Sequence, residues 1–120
     1  MAGKSVAEKL QVKGPRRLAV VNAPKGLDDL IAGTRAPLAE AEVALLFVRD
    51  RAGLLASLAA DMPALRQDAI LWIAYPKQTS RLKGDLNRDI IHRLVPEYGL
   101  DTIASIAVDE DWSALRFKRV

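Results

Sequence analysis

Apolar residues in this chain fall either into short unbroken runs or into stripes at helical spacing, and the order of the two patterns outlines a fold. Residues 17–22, 42–48 and 70–75 are continuous apolar runs, too short for core helices, of the kind that strands buried on both faces present. After the first run, Leu27, Leu30 and Ile31 recur at i, i+3 and i+4 behind Asp28 and Asp29, which predicts a helix stopped by Gly33. After the second, Leu54, Leu55 and Leu58 form a stripe that Asp50 caps, and Pro63 starts a separate final turn. After the third, Leu86, Ile90, Ile91, Leu94 and Val95 make one stripe, read as capped by Asp85 and ended by Gly99. Ser5 and Glu8 have capping-box spacing, so a short helix runs to about Leu10 before the Lys13-Gly14-Pro15 break. The last two runs, 102–108 and 114–120, have no helix between them and predict an antiparallel hairpin. Residues 34–40 leave room for at most a stub of edge strand.

This alternation predicts an α/β fold: one small three-layer sandwich over residues 1–120, with a mainly parallel sheet and a C-terminal antiparallel hairpin. A chain of 120 residues, 50% hydrophobic and 28% charged, has the length and balance of one packed domain. Its longest apolar stretch falls far short of the ~20 residues of a membrane helix. Residues 1–10 alternate charges where a secretory signal would be apolar, so the expected location is cytoplasmic, with no membrane partner. The absence of cysteine excludes disulfides, zinc-thiolate sites, iron–sulfur clusters and thiol nucleophiles, and a single histidine argues against multi-histidine metal sites. No metal and no cofactor are expected. The net charge of +3 is small, and no helix-turn-helix, finger or aromatic-basic interleave accompanies it, so nucleic acid is not the expected partner. Charge is nevertheless unevenly placed: residues 76–93 hold five cations and two acids, whereas 94–115 hold five acids and no cation.

Several segments resemble known proteins. The turn and strand over residues 10–21, the order of elements and the closing hairpin look like the class I methyltransferase fold in truncated form. More closely, Asn22-Ala23-Pro24, Tyr75-Pro76-Lys77, Asp85-Leu86-Asn87-Arg88-Asp89 and Asp109-Glu110-Asp111-Trp112-Ser113 resemble a bacterial domain-of-unknown-function family of small proteins, nearly end to end. The first resemblance implies an S-adenosylmethionine site after strand one, but the sequence departs from it there. Such enzymes place a Gly-x-Gly-type loop where backbone must approach the cofactor, and this chain has Asn22-Ala23-Pro24-Lys25-Gly26. Methyltransferase activity is therefore not expected.

Open α/β sheets bind ligands beyond the carboxyl ends of their strands. On the methyltransferase plan that rim gathers Asn22, Lys25, Arg49, Asp50, Tyr75, Lys77, Trp112 and Ser113. The segment from Tyr75 to Arg81 is the best anion-site candidate, with Lys77 and Arg81 for charge and Thr79 and Ser80 for hydroxyl donors, although it lacks P-loop spacing and the simpler reading is a solvated loop whose lysine pairs with a neighbouring carboxylate. Asp109, Glu110 and Asp111 are a hairpin tip, a hard-cation chelate, or ion-pair partners of Lys77. Trp72 reads as core, and Trp112 as a stacking platform or lid. His92 lies off the apolar stripe of its helix, and neither Ser80 nor Ser113 has an identifiable base. The leading expectation is a small anionic ligand or a protein partner at the rim. One alternative is a minimal enzyme using Lys77 with Asp109 or Asp111. Another is a non-catalytic interaction module, such as a homodimer formed through the margin of strand one unless residues 34–40 cover it.

Overall fold

The computed structural model describes residues 5–120; residues 1–4, part of the charged N-terminal stretch, lie outside the described residues. Strands β1 (Leu18–Val21), β2 (Val43–Phe47) and β3 (Ile70–Pro76) lie parallel, as the three apolar runs predict. The chain closes with β4 (Leu100–Ala107) and β5 (Trp112–Arg119), and the sheet order is β1-β2-β3-β5-β4. Because β5 folds back beside β4 and also pairs with β3, both its ladders are antiparallel. The sheet is thus mixed rather than mainly parallel.

Side chains alternate across this sheet and build two cores. On one face Ala44, Leu46, Ile73 and Leu115 pack beneath α2 (Arg51–Ala60) and α3 (Arg88–Leu94), which contribute Leu54, Leu58 and Ile91. On the other, Leu45, Phe47, Trp72 and Ala114 meet Ala7 and Leu10 from α1 (Val6–Lys9) and its end, with Leu27 and Ile31. The Ser5–Glu8 capping box is present, and the Trp72 indole N–H donates to the Leu10 carbonyl at 3.0 Å. Trp72 is core.

Three local expectations are corrected. The stretch around Leu27, Leu30 and Ile31 forms only a 3-10 turn at Asp28–Leu30. The carbonyls of Asp28, Ile31 and Gly33 accept from the Arg35 guanidinium, which satisfies them without a helix. Asn87, not Asp85, caps α3 by accepting from the Ile90 N–H at 2.9 Å. The strands of the hairpin begin two residues earlier than predicted, because the Asp109 carboxylate gathers the Asp111 and Trp112 N–H groups, each at 2.8 Å, and tightens the turn. By contrast, Asp50 caps α2, a 3-10 turn at Met62–Ala64 follows, and Gly99 in the left-handed region ends the Val95–Tyr98 turn beyond α3, all as read from the sequence.

Beside β1, residues 34–36 do form a stub. Leu18 N–H donates to the Thr34 carbonyl at 2.8 Å, its own carbonyl accepts from Ala36 N–H at 3.1 Å, and an isolated parallel bridge joins Leu18 to Arg35. The margin of strand one is covered at this point from within the chain.

At the opposite end of the sheet from the rim, Glu42 ties three segments. It accepts from the Arg17 backbone N–H at 2.7 Å and side chain at 3.2 Å, and from Arg66 at 2.8 Å. Hydrogen bonds from Arg17 hold its carboxyl at about 2, well below the ordinary 4.5. A depressed carboxyl stabilises the fold fully above its unfolded value and loses that contribution as pH falls through the folded one. Urea unfolding of wild type and Glu42→Gln should therefore differ most above about pH 5 and converge towards about pH 2; a gap that persists at the acid end would show that Glu42 acts through packing alone.

Candidate functional site

The carboxyl ends of β1, β2 and β3 meet the start of β5 along one rim. The loop after β3 is pinned there on two sides. Towards the hairpin, Lys77 N–H donates to the Asp111 carbonyl at 2.8 Å, the Ser80 hydroxyl donates to the Asp111 carboxylate at 2.8 Å, and the same hydroxyl accepts from Leu82 N–H at 2.9 Å. Towards α2, Asp85 accepts from the Arg51 N–H at 2.7 Å. Gly84 permits this docking, since a Cβ there would lie 2.8 Å from the Arg49 carbonyl oxygen. The Gln78 amide closes the loop onto the Leu86 carbonyl.

Between this loop, the start of α3 and the start of β5 lies an open cleft of about 420 Å³. Tyr75, Lys77 and Thr79 line it, together with Asn87, Arg88, Asp89 and Ser113. Burial pushes the Tyr75 hydroxyl pKa up, and the positive charge of Arg88 acts in the opposite direction, so the guanidinium is close enough to be felt by the phenol. Of the residues the sequence placed at the rim, the cleft therefore assembles Tyr75, Lys77, Thr79 and Ser113.

The others are elsewhere. Lys25, Asp109 and Trp112 line a separate hollow of about 390 Å³ on the other side of the sheet, with Leu27, Leu82 and Asp111. Asn22, whose φ is +59°, borders a third of about 360 Å³ against Gly53, Ser57 and Asp61 of α2 and its end. Arg49 and Arg81 are exposed on the rim. Ser80 is buried and fully engaged by Asp111 and Leu82, so it is a latch rather than a ligand donor. Trp112 is 3% exposed, its ring edge-on to Phe47 at 5.2 Å, which makes it core and neither platform nor lid. Lys77 makes no ion pair with Asp109 or Asp111; its tie to the hairpin is through backbone. No group of three or more metal-ligating side chains occurs among the described residues. His92 is exposed, as expected, and bonds Thr102 at 2.7 Å.

The rim's electrostatics are asymmetric. Asp50, Asp85, Asp109 and Asp111 all bind the protein's own N–H or hydroxyl groups. Among the described residues, Lys25, Arg49, Arg51, Lys77, Arg81, Lys83 and Arg88 make no ion pair and no side-chain hydrogen bond. Arg17, Arg35 and Arg66, away from the rim, are all paired. Seven rim cations thus have no counter-ion among the described residues, and the same holds for Lys9, Lys13, Arg16, Arg93, Arg116, Lys118 and Arg119 elsewhere.

The fold recurs in solved structures. Over 96% of this chain and 88% of the other, the fold superposes on a SAM-dependent methyltransferase from Aquifex aeolicus with a TM-score of 0.65 and 11% identity. The chain has the class I methyltransferase fold. A ribosomal protein L11 methylase from Lactobacillus delbrueckii subsp. bulgaricus gives a TM-score of 0.58 at 13% identity, over 93% of this chain and 73% of that one. The mitomycin 7-O-methyltransferase MmcR gives 0.55 at 12%, over 88% of this chain. The chain spans 49% of the length of MmcR and 39% of that of LepI, solved in complex with SAM, where the TM-score is 0.56. No family model and no curated protein matches the sequence.

Sequence reasoning missed Asn87, Arg88 and Asp89 as cleft residues. Reading Asp85 as the α3 cap placed them inside the helix. The competing cap signal, Asn87 three residues ahead of Ile90, would have put Arg88 at the first helical position, beside the end of β3.

Proposed function

We propose that this methyltransferase-fold domain binds a small anionic ligand in the Tyr75–Ser113 cleft and is not itself a methyltransferase. The observation that carries the reading is that Lys77 and Arg88, neither held by a carboxylate, line together a cleft that loop, helix and hairpin jointly frame. Placing an anion there would match charges that the fold leaves without partners. The minimal-enzyme alternative would have to draw its acid–base pair from Lys77, Tyr75 and Asp89, because Asp109 and Asp111 face the other hollow. Sulfate titrated at constant ionic strength should raise the melting temperature of the wild-type protein, since binding to the native state alone adds stability; an unchanged melting temperature would count against the cleft as an anion site.

The loop after β1 supports the second half of the reading. Asn22 occupies the left-handed region with a side chain in place, and Pro24 offers no N–H, so the close backbone approach that S-adenosylmethionine requires is obstructed. Beyond β1 lies only the single bridge at Arg35, and that side chain is committed to Asp28 at 2.8 Å. Isothermal titration with S-adenosylmethionine is expected to give no heat of binding; a Kd of about 10 μM, roughly −7 kcal/mol, would overturn this.

A second reading, self-association, is favoured by β4. It is the edge strand on the other side of the sheet, and residues 102–108 carry no charge, with Ile103 at a register shift and 46% exposed. Sedimentation equilibrium at micromolar concentration should show a dimer that Ile103→Lys dissociates; a monomer in wild type removes this reading.

A further inference from the structure

Resting on the anion-binding reading, we infer that the Tyr75–Ser113 cleft takes a dianionic tetrahedral group, the phosphate of a monoester, in preference to a carboxylate. The number and kind of donors lining it carry the inference. Lys77 offers an ammonium and Arg88 a guanidinium, neither held by a carboxylate of the chain. Tyr75, Thr79 and Ser113 add three hydroxyls, none engaged in a hydrogen bond among the described residues. Asn87 has its side-chain oxygen committed to Ile90 N–H, which leaves its amide N–H groups free to donate. Gln78, by contrast, is tied to the Leu86 carbonyl.

Six donor-bearing side chains converge on a space that a carboxylate could use only in part, because it has two oxygens and about four lone-pair sites. A phosphate monoester presents three strong acceptor oxygens and a charge close to −2 at neutral pH. The extra oxygen lets one group meet Lys77 and Arg88 at once and still accept from the hydroxyls; with two cations and one acid, Asp89, in the lining, it is donor number and not charge balance that favours the monoester. Asp89 is the acid among the described residues that line the cleft, and it repels a dianion more strongly than a monoanion, so removing it should tighten dianions most. The loop that supplies Lys77 and Thr79 is fixed beforehand by Asp111, Arg51 and the close approach at Gly84, which lowers the cost of ordering donors around a small group.

Calorimetric titration of the full chain with methyl phosphate, sulfate and acetate, across the second ionisation of the monoester, tests this. That ionisation lies near pH 6, so the dianion fraction rises about tenfold between roughly pH 5 and pH 7. Methyl phosphate affinity should rise about tenfold over that interval. Sulfate, a dianion throughout, should bind with little change, which controls for titration of Asp89, Tyr75 or any other protein group. Acetate should bind at least about tenfold more weakly than sulfate, and Asp89→Asn should tighten both dianions. Equal affinity for acetate and sulfate, or methyl phosphate affinity flat with pH while sulfate binds, would overturn the dianion preference and leave the anion site standing. No binding of any of the three would overturn both.

Discussion

Trp112→Ala is expected to destabilise the domain by about 3–5 kcal/mol, the usual cost of removing a large buried aromatic ring. The indole is 3% exposed and stacks edge-on against Phe47 beneath the hairpin turn, so its loss opens a cavity in the core on that face of the sheet. Urea unfolding would measure it. A loss below about 1 kcal/mol, as for a surface residue, would return Trp112 to the role of a mobile lid. Anion affinity in the cleft should survive the substitution wherever the protein remains folded, since Trp112 lines the hollow on the opposite side.

Lys77→Ala combined with Arg88→Ala should have the opposite profile. Hydrogen bonds to charged groups are worth about 1.5–3 kcal/mol each, so each substitution weakens sulfate binding roughly ten- to hundredfold and the pair abolishes it at millimolar concentration. Neither side chain has a partner in the fold, so the unfolding midpoint should barely move. Lys25→Ala, across the sheet, is the control that keeps wild-type affinity. A double variant that still binds sulfate at wild-type strength would move the anion site away from this cleft.

The parts of this fold that follow from local chemistry were legible in the sequence. Unbroken apolar runs gave β1, β2 and β3 because a strand buried on both faces needs no alternation, and the capping box of α1 and the Asp50 cap depend only on residues within one turn. The order β1-β2-β3-β5 followed from the methyltransferase plan. What escaped were features decided by contacts between distant segments. Arg35 replaces helical hydrogen bonds around Asp28, and no periodicity within 27–31 reveals a guanidinium arriving from outside. Asp85 was read as a cap because it precedes an apolar stripe; it does serve a helix N-terminus, but that of α2, through Arg51. Tyr75, Lys77 and Thr79 were found because they directly follow the third run, whereas Ser80 and Trp112 look equally polar or loop-like until Asp111 and Phe47 are placed against them.

The methyltransferase fold itself leaves the reaction open. One fold hosts many unrelated chemistries. In this chain Asp50, Asp85, Asp109 and Asp111 at the rim bind the protein's own N–H or hydroxyl groups, while Lys77 and Arg88 at the cleft have no carboxylate partner.

The most direct measurement is a sulfate titration followed by backbone amide chemical shifts at constant ionic strength. Saturable shifts confined to Tyr75, Lys77, Thr79, Arg88 and Ser113, fitting one dissociation constant, are the predicted result. Small, non-saturating shifts spread over Arg17, Arg66, Lys118 and the other surface cations would contradict the account, because they would mean that the rim screens anions as any basic surface does and holds no site.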